Sequence, residues 1–278
     1  MSLSAACAAR LFGQVPQNPS PMVEHARTHP RLPEGSPPGD RHALELGSLY
    51  LPANLKRRPV LPLLVHFHGA SWIAEVSAAR LRKAALLSVV LGQGSSVYAK
   101  PFTDTELFGR MLAEAERKAG CRFAPVTLSH WSAGYGSARE ILRQPAYYER
   151  VERLLAIDSI HAGYVSGKPG PRESELTTDS LDIFLRFARD AVAGRKQMIV
   201  THSEIFPGTY ASTTETAEYL LQGVGLTRKP ILRWGPMGMQ QISEARGGRF
   251  QVLGYAGNSA PDHVDQLHAL ADLVRMFR

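Results

Sequence analysis

Residues 60–67 (VLPLLVHF) form a nearly continuous apolar run that stops at His68 and Gly69. A strand with water on one face alternates polar and apolar side chains. A run without alternation is buried on both faces, as in a parallel sheet covered by helices. This one segment reads as a buried parallel strand, the kind that a layered α/β architecture provides.

The rest of the chain repeats the pattern. Residues 41–51 alternate loosely, read as strand-like and end at Pro52, and 54–59 form a basic turn. Helices are expected over 75–85, 104–119 (with Asp104 as N-cap), 133–143, 180–193, 213–222 and 261–277. Strands are expected over 86–91, 123–128, 151–157, 197–201 and 250–255. This βαβα succession predicts a mostly parallel central sheet with helices on both faces. In such sheets, functional groups gather where the strands end at their carboxyl termini.

Residues 16–40 are rich in proline, glycine and polar residues, so 1–40 is expected to be an irregular arm. Residues 41–278 then form a single domain. The connection 163–178 is too short for a large lid.

Composition excludes several classes. No apolar run approaches the roughly 20 residues needed to span a bilayer. The net charge is +7, but the basic residues are scattered among acidic ones, which argues against nucleic acid. Cys7 and Cys121 make neither a disulfide framework nor a metal motif. The histidines lack compact ligand spacing, and GQGSS after residue 91 lacks the lysine of a phosphate loop, so neither metal nor cofactor is expected. Residues 1–9 are small and apolar without a basic leader, which leaves a cytoplasmic and a secreted, trimmed protein equally open. The oligomeric state is open as well.

Three strand ends carry candidate chemistry. After residues 123–128 comes Ser129-His130-Trp131-Ser132-Ala133-Gly134-Tyr135-Gly136. A serine between an apolar strand and a helix, with glycine two and four residues later, fits a nucleophile elbow. The elbow also brings the hydroxyl close to a helix N-terminus, where N–H groups favour developing negative charge. The position two before Ser132 is His130 rather than the usual glycine. A helix N-cap serine is the competing assignment.

Residues 64–72, LVHFHGASW, resemble the HGGGW segment of hormone-sensitive-lipase-like carboxylesterases in the α/β-hydrolase superfamily. The resemblance implies the α/β-hydrolase fold and an oxyanion hole at Ala70 and Ser71, joined by the N–H of Ala133. Both family glycines are replaced here. The superfamily's chain order of serine, acid and histidine points to His263, which follows the last strand in Asn258-Ser259-Ala260-Pro261-Asp262-His263.

Two carboxylates compete as the acid. Asp158 ends the apolar strand LLAID, where a carboxylate must be paired or hydrogen-bonded. Glu204 follows the next strand, the more usual acid position in the superfamily. Asp262 adjoins His263 and reads as a helix cap. Trp72, His130, Tyr135, His161 and His202 are expected as substrate contacts, with Ser95, Trp131, Ser203 and Tyr210 in the same strand-end segments. Such a polar rim suits a small, glycan or peptide ester better than a lipid. The leading expectation is a serine esterase working through an acyl-enzyme. An amidase or peptidase with the same triad, and a non-catalytic binding protein on the same fold, are the alternatives.

Overall fold

The computed structural model describes residues 28–169 and 175–277. Cys7 and most of the expected N-terminal arm lie outside them.

Ten strands form one sheet: β1 (Gly39–Ala43), β2 (Ser48–Pro52), β3 (Val60–Phe67), β4 (Ala85–Val89), β5 (Arg122–Trp131), β6 (Val151–Ile157), β7 (Gln197–His202), β8 (Lys229–Trp234), β9 (Gln240–Gly247) and β10 (Phe250–Tyr255). The order across it is β1-β2-β4-β3-β5-β6-β7-β10-β9-β8. Six strands, from β4 to β10, run parallel. Antiparallel pairs extend the sheet at both edges.

β3 has a parallel neighbour on each side, and its alternate side chains enter different cores. Leu63, Val65 and Phe67 pack with one set of helices, and Leu64 with the other. That two-sided burial is why its sequence does not alternate. Each such side chain contributes about 1.5–3 kcal/mol relative to exposure. One face is covered by α1 (Ser71–Leu81), α8 (Ala260–His268) and α9 (Leu270–Val274). The other carries α3 (Leu107–Ala119), α4 (Tyr135–Arg143), α6 (Asp182–Val192) and α7 (Thr213–Gly223). The described residues also include two short helices, α2 (Ser95–Ala99) and α5 (Pro145–Arg150).

Several expected boundaries move. The segment 41–51 is not one strand; it folds back between Ala43 and Ser48 into the β1–β2 hairpin. The helix expected from 75 begins at Ser71, so the turn after β3 is also a helix N-terminus. Asp104 does not cap α3, whose N-cap is Glu106; its carboxylate accepts from the Glu106 N–H at 3.0 Å and pairs with Arg110. The last helix is two helices broken at Ala269. β8 and β9 escape sequence reading. β8 is almost wholly exposed and contains Pro230, which only an edge strand tolerates.

Residues 28–38 are irregular, as expected of the arm. They are nonetheless docked on α8: the Leu32 N–H donates to His268 Nδ1 at 3.0 Å, and Arg31 Nε pairs with Asp265 at 3.1 Å. Among the described residues, no helix is long and apolar enough to cross a membrane.

Candidate active site

β5 ends at Trp131, and the chain turns through Ser132 with φ 47° before entering α4. A serine in the left-handed region is strained and persists only when its surroundings hold it. The surroundings here are close. A Cβ on Gly134 would lie 2.3 Å from the Phe67 carbonyl oxygen, and one on Gly136 would lie 2.1 Å from the Ser95 carbonyl oxygen. Only glycine lets the helix approach β3 and α2 this tightly. His68, Asp158 and Ile160, at neighbouring strand ends, also have positive φ.

Beneath the turn, Ser159 donates its hydroxyl to the Ser132 carbonyl at 2.6 Å. Nδ1 of His130 lies 2.7 Å from the same Ser159 oxygen. His130 is fully buried, and burial pushes its imidazole down to about 3, so it is neutral. The off-pattern histidine thus supports the elbow from below.

His263 follows β10 on the first turns of α8, which opens with a capping box between Ser259 and Asp262. Its Nδ1 lies 2.6 Å from Asp158 Oδ2. The other carboxylate oxygen, Oδ1, accepts from the Ser203 N–H at 2.8 Å, the Ser203 hydroxyl at 3.0 Å and the Thr213 hydroxyl at 2.6 Å. Burial raises the Asp158 pKa, but His263 and these donors outweigh it and hold the carboxyl down at about 2. Asp158 is therefore an anion at neutral pH, and Nδ1 of His263 is the proton-bearing nitrogen.

Glu204 lies elsewhere. Its side chain is exposed and accepts from the Gly257 N–H at 3.1 Å, pinning the β10 turn.

Trp131 ties two loops together. Its indole lies between His68 (ring centroids 5.1 Å apart, planes at 15°) and His263 (4.4 Å, 28°), and its N–H donates to the His263 carbonyl at 3.0 Å. His68 Nδ1 is 2.9 Å from the Tyr98 hydroxyl, which also accepts from the Leu91 N–H.

Two cavities meet at Ser132. The larger, about 560 Å³, is bounded by His68, Ser95, Ala133, Tyr135, Arg139, His161, Ser180 and Tyr210 among others. The smaller, about 320 Å³, is bounded by His263, Asp158, Ile205, Pro207, Asn258 and Ala260 among others. Both are of a size that takes small molecules.

Of the expected substrate contacts, Tyr135 and His161 line the larger cavity. Three others lie elsewhere. Trp72 packs edge-on against His268 in the small cluster around Leu32, Ile73 and Leu267. His130 is under the elbow. His202 is buried with Nδ1 2.9 Å from the Thr214 hydroxyl, and burial lowers its pKa to about 4. His130 and His202 lie within β5 and β7, where successive side chains alternate across the sheet, and Trp72 lies in the first turn of α1. Ala70 and Ser71 are exposed at the start of α1, and it is His68 of that turn that forms the cavity wall. Sequence reasoning missed Ser159, Thr213 and Arg139. Small hydroxyls and one more arginine carry no motif.

Among the described residues, one group could place three metal-type ligands together: His29, Asp262 and Asp265, with ligand atoms within 4.8 Å. Asp265 is paired with His29 and Arg31, and Asp262 accepts from Ser259. These bonds dock residues 28–38 and cap α8.

No protein-family model and no curated protein matches this chain. Solved structures do. Thermogutta terrifontis esterase 2 phosphonylated by cyclosarin aligns with a TM-score of 0.51 at 16% identity, over 86% of this chain and 95% of that one. The chain has the α/β-hydrolase fold. Two further structures of this fold align less closely. A hyperthermophilic esterase from the archeon Pyrobaculum calidifontis gives a TM-score of 0.49 at 14% identity, over 82% and 80%. An arylesterase gives 0.48 at 13%, over 92% and 90%. The likeness is one of fold. In this fold the ends of the parallel strands at which Ser132, Asp158 and His263 converge form one open rim.

Proposed function

We propose that this chain is a serine hydrolase that cleaves esters through an acyl-enzyme. The observation that carries the reading is the relay from Thr213 and Ser203 through Asp158 to His263, which shares a cavity wall with Ser132. Because His263 Nδ1–H donates to the ionised Asp158, the free base is Nε2.

In this reading, Ser132 Oγ attacks the ester carbonyl and gives its proton to His263 Nε2. The tetrahedral oxyanion is held by the Ala133 N–H and by the turn after β3, with the Ala70 N–H and Ser71 beside it at the N-terminus of α1. His263 then protonates the leaving alcohol. Water repeats the sequence on the acyl group, its proton passing to His263 and its hydroxyl to the acyl carbon. Asp158 remains ionised throughout and keeps the imidazole in its productive tautomer. The HGASW segment and its likeness to carboxylesterase loops support the same assignment.

A fluorophosphonate probe tests this. The folded protein is expected to gain one adduct, located on Ser132 by peptide mass, and the Ser132→Ala protein none. Folded protein that stays unlabelled overturns the reading.

A further inference from the structure

The larger cavity has an uneven charge. Among the described residues lining it, Arg139 is the one ionic side chain. The two histidines in the wall are held neutral: burial lowers both His68 and His161, and His161 Nδ1 is committed to the Ala211 carbonyl at 3.1 Å. The remaining polar lining, which includes Gln93, Ser95 and Ser180, is uncharged. No carboxylate is among the described residues that line the space.

Arg139 itself is only partly satisfied. It projects from α4, two turns after Ser132, with 19% of its side chain exposed. Nε donates to Glu140 at 2.8 Å, and the guanidinium lies 5.9 Å from the Tyr135 ring centroid. Nη1 and Nη2 have no hydrogen-bond partner among the described residues. A guanidinium is permanently charged, and its planar fork matches a carboxylate better than any neutral group. Glu140 does not neutralise it alone, since the same carboxylate also binds Arg143 at 3.1 Å.

The two cavities can be assigned to the two halves of an ester; this step rests on the proposed Ser132 mechanism. The alcohol oxygen must be protonated by His263, which lines the smaller cavity. The oxyanion stays on the acyl carbon and faces Ala133, which lines the larger one. The acyl half therefore extends toward Arg139.

We infer that the substrate is an ester whose acyl group carries an anion, such as a half-ester of a dicarboxylic acid, with Arg139 binding the distal carboxylate. The reaction balances without a co-reactant. Half-ester and water give the dicarboxylic acid and the neutral alcohol, and the acid loses its new proton to solvent.

The test compares monomethyl glutarate with methyl pentanoate, which differ only in a terminal carboxylate, by proton release. Wild-type protein is expected to prefer the anionic ester in kcat/KM. Arg139→Gln is expected to lower that preference about ten- to a hundredfold, the weight of a charge-assisted hydrogen bond, chiefly through KM. Arg139→Lys should restore part of it, which a purely structural role would not. Binding of glutarate to Ser132→Ala protein, measured by calorimetry, separates this inference from the mechanism. Glutarate bound by Ser132→Ala but not by the Ser132→Ala/Arg139→Gln double variant supports the anion site even if neither ester turns over. Turnover with no preference for the anionic ester, or a preference unchanged in Arg139→Gln, overturns it.

Discussion

Asp158 and Glu204 look alike in sequence. Each is a carboxylate just past an apolar parallel strand, and β6 and β7 are neighbours in the sheet. In space they differ in every respect that matters to an imidazole. Asp158 is 1% exposed, holds positive φ, and is gripped by donors from β7's end and from α7 before it meets His263. Glu204 is exposed and spends its carboxylate on the Gly257 backbone. An orienting carboxylate must be fixed and ionised in a dry setting, and donors from other elements supply both conditions. Strand-end position brings a carboxylate near the rim; its neighbours decide what it does there.

The comparison can be broken by substitution. Asp158→Asn should lower kcat by about 10³–10⁴-fold, because an amide no longer selects the Nδ1–H tautomer. Steady-state hydrolysis of p-nitrophenyl acetate checks it. A larger loss in Glu204→Gln than in Asp158→Asn would reverse the assignment of the two residues.

The same variant sharpens the electrostatic side. The Asp158 pKa is depressed from 3.8 to about 2 in the folded chain. Its contribution to stability is therefore fully present above the unfolded value and is lost as pH falls from about 4 through 2. Urea midpoints between pH 5 and 2 should fall less steeply in Asp158→Asn than in wild type. Parallel curves would mean that the carboxylate is not held by its donors.

Next in size is Ser159→Ala. Losing the hydroxyl that holds the Ser132 carbonyl should cost about 1 kcal/mol of stability and about tenfold in kcat, with KM little changed. Thermal midpoint and kcat, measured on one preparation, address both. The smallest effect belongs to Glu204→Gln, where turnover should stay within about twofold, since an exposed amide oxygen can still accept from Gly257.

Much of the architecture was legible because two-sided burial leaves a mark on composition. The runs at 60–67, 151–157 and 250–255 match β3, β6 and β10 end to end. The β8–β9 hairpin was not legible, since an exposed edge strand buries too little to impose a pattern. For the candidate site, glycines two and four residues after Ser132 signalled a tight turn, and the steric contacts at Gly134 and Gly136 give the reason. The hydroxyls of Ser159 and Thr213 were invisible, and the bond of Ser203 to Asp158 was too, because a hydroxyl that binds a carbonyl or a carboxylate reads like any other hydroxyl.

By itself, the sequence determined the layered sheet, the strands buried on both faces and the turn at Ser132, because hydrophobic periodicity and glycine placement are local consequences of burial and backbone geometry. Only the tertiary structure decided which carboxylate meets His263, that His130 and His202 face inward, and that Arg139 is the one ionic side chain among the described residues lining the larger cavity. Those outcomes depend on side chains from separate strands and helices arriving within about 3 Å of one another, a distance no single segment encodes.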